Sequence, residues 1–280
     1  MKKFLSLSIF VFILSCGFLN AQTPDPYEPK MIKAFADDLF QNGFWEEAES
    51  EYKRYLFTYD NAGTDTEVIF TLATIYHTKK NLDGALWLNN NFASAAPVEI
   101  SEKLFINASG LAFLQRDKEL FKKITDKTRD DYSPMVKLMI PLSVSLLDKN
   151  LPLATELLNT LSMEFKIFLP AANYAKSIKT KSPGLALTLS LFLPGSGKWY
   201  TGSFTGFATD FLTVGGFTAG AIYTGIKSEW KDWRPYVFGT CALVFYISDV
   251  YGSYKSAQRY NETQYRILCE YVDRVYEEIF

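Results

Sequence analysis

The chain has 280 residues, with 29 basic and 31 acidic side chains and a formal net charge of -2. That near-neutral balance lacks the basic face a nucleic-acid partner needs, so no nucleic-acid role is expected. A single histidine (His77) and three cysteines (Cys16, Cys241, Cys269) leave no disulfide framework, no zinc-ligand set and no Ser-His-Asp or Cys-His arrangement. The expectation is therefore a non-enzyme with no catalytic, cofactor-binding or metal-binding residues.

In chain order, residues 1–21 come first. Two lysines precede an apolar run over 4–19, and Asn20-Ala21 follows. The positive, apolar, small order predicts a secretory signal cleaved after Ala21. The alternative is lipidation at Cys16, which follows Ile13-Leu14-Ser15 in a loose lipobox. Residues 22–28 read as a linker, since prolines 24, 26 and 29 crowd this stretch.

Residues 29–161 hold an internal repeat. Four segments align: 43–48 (GFWEEA), 80–85 (KNLDGA), 116–121 (RDKELF) and 149–154 (KNLPLA), spaced by 37, 36 and 33 positions. Each is a polar turn flanked by apolar stretches with three- and four-residue spacing, so each predicts a pair of helices. A lone pair cannot bury its apolar faces, whereas stacked neighbours share a core. Ala48, Ala85 and Ala154 supply a small residue where the helices of a pair cross closely, and Phe121 makes the third unit irregular. Repeats of this length, with Trp45 or Leu82 three residues before the alanine, resemble tetratricopeptide repeats. The resemblance is best over 42–52 and implies a concave surface that binds a peptide or protein partner. Trp45, Tyr52, Tyr76 and Trp87 read as packing residues, and His77 as a surface or capping residue.

Residues 162–182 form a connector. A helix is expected from Met163 to Ile178, with Lys166, Lys176, Lys179 and Lys181 giving it a basic side. Such a helix lies on a lipid surface or caps the array; the pattern fits both.

Residues 183–254 are strongly apolar. Spans are expected at about 204–226 and 235–254, each long enough as a helix for ~30 Å of hydrocarbon. The intervening loop carries Lys227, Lys231 and Arg234 with Trp230 and Trp233. This favours a cytoplasmic loop, two crossings and both flanks outside. A charge in lipid costs at least ~2.5 kcal/mol, so Asp210 and Asp249 need shielding. In an antiparallel pair both fall on the same side, facing each other or Lys198. Residues 194–202 read PGSGKWYTG. With two apolar stretches after them, they resemble the small two-transmembrane-helix family, whose hallmark falls here on Pro194, Gly195, Gly197, Tyr200 and Gly202. That resemblance implies a membrane module without agreed chemistry. It is not a phosphate-binding loop, because Phe192 and Trp199 stand where glycine and Ser/Thr are required.

Residues 255–280 predict a last helix that packs on the array or on another subunit of a homo-oligomer. The fold class expected is all-α: a helix-pair solenoid followed by a C-terminal helical membrane domain. The function expected is a scaffold in the inner membrane. Its repeats would stand in the periplasm and bind a protein partner, and its C-terminal part would meet the lipid bilayer. The alternative is an accessory subunit of an envelope transport or membrane-insertion system.

Overall fold

A computed structural model describes residues 25–58 and 65–280. The signal sequence expected over 1–21, the lipidation alternative at Cys16 and the start of the expected linker lie outside the described residues. The fold is all-α, and no strand occurs among the described residues. The chain divides into two compact units, one ending at Leu111 and the other beginning at Ala112.

The first unit contains α1 (Pro29–Gln41), α2 (Trp45–Thr58), α3 (Thr66–Thr78), α4 (Leu82–Phe92) and most of α5 (Val98–Leu114). α1 packs on α2, α2 on α3 and α3 on α4. Ile32, Ala36, Ala48 and Tyr52 are buried in the first pair, and Leu72, Tyr76, Ala85 and Leu88 in the second. Tyr52 keeps its hydroxyl satisfied by donating to Asp37 Oδ1 at 2.7 Å. Lys33 reaches from the first pair to Glu67 of the second at 3.0 Å, a surface contact worth a few tenths of a kcal/mol. His77 is half-buried, with Nδ1 3.3 Å from Asn107 Oδ1. Gly84 explains the close crossing of the second pair, since a Cβ there would lie 2.4 Å from the Tyr76 ring.

The second unit starts in the last turn of α5. It continues through α6 (Lys118–Thr125), α7 (Pro134–Leu147), α8 (Leu151–Glu164), a 3-10 turn (Lys166–Phe168) and α9 (Leu169–Ser177). Then come α10 (Pro183–Phe192), α11 (Ser196–Tyr200), α12 (Phe204–Lys227) and α13 (Arg234–Ile279).

One backbone device recurs at all four repeat turns. Gly43, Lys80, Arg116 and Lys149 have φ of 80°, 53°, 59° and 56°. The residue after each donates its N–H to the carbonyl five positions back: Phe44 to Leu39, Asn81 to Tyr76, Asp117 to Ala112, Asn150 to Ser145. This is a Schellman closure, which satisfies carbonyls that a helix end leaves unpaired. In three of the four the same residue also starts the next helix. The side chains of Asn81, Asp117 and Asn150 accept from the N–H of Gly84, Leu120 and Leu153, capping its N-terminus. The turn thus both ends and begins a helix without an intervening loop. Phe121, at the position held by alanine in the other units, is buried edge-on against Phe113 at 6.2 Å.

Two expected boundaries move. The connector is not one helix over 163–178. The backbone opens at Phe165 (φ -124°, ψ 105°), and α9 then buries Ala171, Ala172 and Ala175 while packing on α8. Nor does a separate helix begin at 255. α13 runs unbroken for 46 residues, about 69 Å at 1.5 Å per residue. Its first half packs with α10, α11 and α12, and α9 and the 3-10 turn also pack on it. The C-terminal half meets the repeat helices of this unit through polar contacts. Arg116 donates twice to Asp273, at 2.8 and 2.7 Å. Ser143 meets Tyr276 at 2.9 Å. Tyr265 accepts from Leu151 N–H at 3.0 Å and donates to the Lys149 carbonyl, so it supplements the cap of α8.

The membrane spans expected at about 204–226 and 235–254 meet helices at both places. However, no helix among the described residues is long and apolar enough to cross a membrane. The reason is composition: α12 carries Asp210, five threonines and five glycines among its 24 residues, which dilute its apolar content.

The turn geometry sets two neighbouring substitutions against each other. Lys149→Gly relieves a left-handed non-glycine residue and should raise stability by about 0.5–1 kcal/mol. Asn150→Ala removes a cap and should lower it by about 1 kcal/mol. Denaturant unfolding of the full chain followed by circular dichroism measures both; shifts of the same sign would contradict this account of the turn.

Candidate functional site

Leu193 ends α10, and the chain must reverse within a few residues to enter α11 and α12. Pro194 needs no backbone donor at this corner, and Gly195 takes φ 83°. Gly195 has a second reason to lack a side chain, because a Cβ would lie 2.6 Å from the Phe207 carbonyl. Its N–H points inward and donates to Asp249 Oδ2 at 2.7 Å.

Asp249 is 3% exposed, and Ser190 and Ser253 are fully buried. A carboxylate taken out of water is costly unless donors meet it. Here they form a directed chain. Gly197 N–H donates to Ser190 Oγ at 3.0 Å, Ser190 donates to Ser253 Oγ at 2.7 Å, and Ser253 donates to Asp249 Oδ1 at 3.3 Å. Every hydrogen in that chain points toward the carboxylate, so each bond polarises the next. Gly197 is required sterically, since a Cβ there would lie 2.1 Å from the Ala186 carbonyl and 2.7 Å from Ser253 Cβ.

Lys198 forms an ion pair with Asp210, and both lie within electrostatic reach of Asp249. The lysine stem runs past two glycines: an added Cβ at Gly206 would be 3.0 Å from its Cδ and at Gly252 3.4 Å from its Cε. Tyr200 accepts from Ser182 N–H at 3.2 Å, and its ring lies 4.6 Å from Lys181 Nζ. The Lys181 backbone is held on both sides by Asn261, at 2.7 and 2.8 Å. Gly202 has φ 91° and open space around its Cα, so its role is conformational.

The structure therefore gathers Gly195, Gly197, Lys198, Asp210 and Asp249 into one polar knot and places Tyr200 at its rim. Pro194 and Gly202 shape the chain on either side. Sequence reasoning missed Ser190, Ser253 and Asn261. Ser253 carried a signal, since it lies one helical turn after Asp249 and so shares its face. Ser190 offered only its polarity within an apolar run.

The arrangement is suited to holding helices together. The acceptor oxygens of Asp249 are occupied by protein donors, and Lys198 by Asp210. Away from this site, about 30 Å further along α13, the Cys269 thiol is pushed up to about 11 by burial, which keeps it protonated and weakly nucleophilic. Among the described residues no cluster of three or more His, Cys, Asp or Glu side chains could hold a metal ion.

Steric need separates two glycines of the same region. Gly197→Ala should destabilise the C-terminal unit by about 1–3 kcal/mol. Gly215→Ala, with nothing within 4 Å of the new methyl, should be neutral or slightly stabilising. Thermal unfolding in detergent measures both, and equal effects would contradict the packing described. The chain matches no family model, no curated protein and no solved structure.

Proposed function

We propose that this chain is a membrane-anchored interaction protein of the bacterial envelope. Its helix pairs form a tetratricopeptide-like array in the periplasm that binds a protein partner. α10 to the first half of α13 form an inner-membrane anchor like the small two-transmembrane-helix modules. The reading includes export by the 1–21 signal and assigns no catalysis.

One observation carries it. Around α12 and the first half of α13 the usual order of a water-soluble bundle is inverted. Leu212, Ile226, Leu243, Val244 and Ile247 are each at least 58% exposed, while Asp249, Ser190 and Ser253 are buried and paired inside. Exposed apolar surface on this scale calls for a non-aqueous neighbour. Hydropathy averaged along each helix counts the inward polar residues and glycines together with the outward face, yet a surrounding phase meets only the outward face. Tryptophans sit where such an anchor would meet headgroups, with Trp199 at one end and Trp230 and Trp233 in the loop at the other. The closed pairing of Asp249 with Gly195 and Ser253, and of Lys198 with Asp210, favours an anchor over a polar route through the membrane. On the first unit, exposed Phe35 and Phe57 offer apolar contacts to a partner.

Membrane fractionation tests the anchor. The protein should stay in the pellet after alkaline carbonate and high-salt washes and enter solution only with detergent. Release by carbonate alone would contradict the proposal.

A further inference from the structure

We infer that the C-terminal unit holds a binding site for the phosphate group of an anionic lipid headgroup, in the cavity where the start of α12 meets the middle of α13. This rests on the anchored reading above. The cavity has a volume of about 590 Å³ and is lined by Thr201, Ser203, Thr205, Ser256, Arg259 and Thr263, among others. Its lining contains one full charge, the guanidinium of Arg259, and no carboxylate. Arg259 is exposed, and its side chain makes no ion pair among the described residues; its carbonyl accepts from the Thr263 hydroxyl at 2.9 Å. Thr201, Ser256 and Thr263 spend their hydroxyl hydrogens on protein acceptors; an arginine fork that finds no carboxylate, beside the Ser203 and Thr205 hydroxyls, still matches the charge and donor needs of a phosphodiester.

The surroundings agree in sign and level. Tyr260 lines the cavity, and Lys181 Nζ lies 5.8 Å from its ring, adding a second positive charge behind that wall. Ser203 uses its Oγ as acceptor for Gly206 N–H, which leaves its hydroxyl hydrogen for a ligand oxygen. Phe204 at the cavity is 62% exposed and stands 6.5 Å from Trp199, so an aromatic cluster lies immediately beside the phosphate position. Arg259 is five residues past the apolar stretch that ends at 254, about 8 Å along the helix. That is the depth at which headgroups lie when the apolar stretch occupies hydrocarbon. The cavity thus pairs a cation and hydroxyls for the phosphate with an apolar rim for the acyl chains attached to it.

The test uses the full chain in neutral-detergent micelles, titrated with dihexanoyl phosphatidylglycerol and followed by tryptophan fluorescence. Saturable binding should weaken about tenfold or more in Arg259→Gln and stay unchanged in Lys231→Gln, a charge in the 227–234 loop. Equal concentrations of inorganic phosphate should fail to displace the lipid. Wild-type affinity in Arg259→Gln would overturn the site, and competition by inorganic phosphate on equal terms would overturn its assignment to a lipid. Insertion into neutral phosphatidylcholine vesicles, retained by both proteins, separates the site from the anchor. If neither protein entered such vesicles, the anchored reading would fall and the site with it.

Discussion

Asp249 and Asp273 sit on the same unbroken helix, about 36 Å apart, and each is held by donors from a different stretch of chain. Asp249 receives the Gly195 N–H and the serine relay from Gly197, whereas Asp273 receives both arms of Arg116. Moving either carboxylate along or around the helix would strand a buried or half-buried charge. The register of α13 is therefore fixed at two points by electrostatics as well as by packing. Further polar contacts of α13 fall between or near those points: Asn261 clamps the Lys181 backbone, Tyr265 supplements the cap of α8 and Tyr276 meets Ser143.

The consequence for function is mechanical. The hairpin of α12 and the first half of α13, with its exposed apolar side chains, and the repeat helices of the second unit share one continuous helix, α13. Displacement of α13 at one end is carried to the other, because a helix transmits rotation and translation along its length. A change at the face of α7 or at the Arg116 turn would break the Asp273 and Tyr276 contacts and would be felt at the α12 end of the same helix.

Much of this was legible in the sequence, and the failures have physical causes. The four repeat turns were visible as recurring segments, because their polar residues interrupt apolar periodicity at a near-constant interval. Their left-handed residues were not visible, since Lys80, Arg116 and Lys149 stand where glycine usually marks such a position. The residues of the 194–202 turn stood out, because glycine at Gly195 and Gly197 is imposed by backbone direction and by contact. Their partners Ser190 and Ser253 did not, because a hydroxyl inside an apolar helix reads the same whether it bonds its own backbone or a neighbouring element. The break expected near residue 254 came from a change in composition from apolar to charged. Composition reports the solvent around a helix, whereas helix continuation depends on backbone propensity, and the residues around 254 include no proline and one glycine, Gly252.

Distance between spin labels at Leu243→Cys and Glu278→Cys, with Cys241 and Cys269 replaced by alanine, measures the continuity of α13 directly. An unbroken helix over those 35 residues gives one narrow distribution centred at about 52 Å. A broad distribution or a shorter centre would show a joint between the hairpin and the repeat-contacting half, and would contradict the rigid connection on which this account rests.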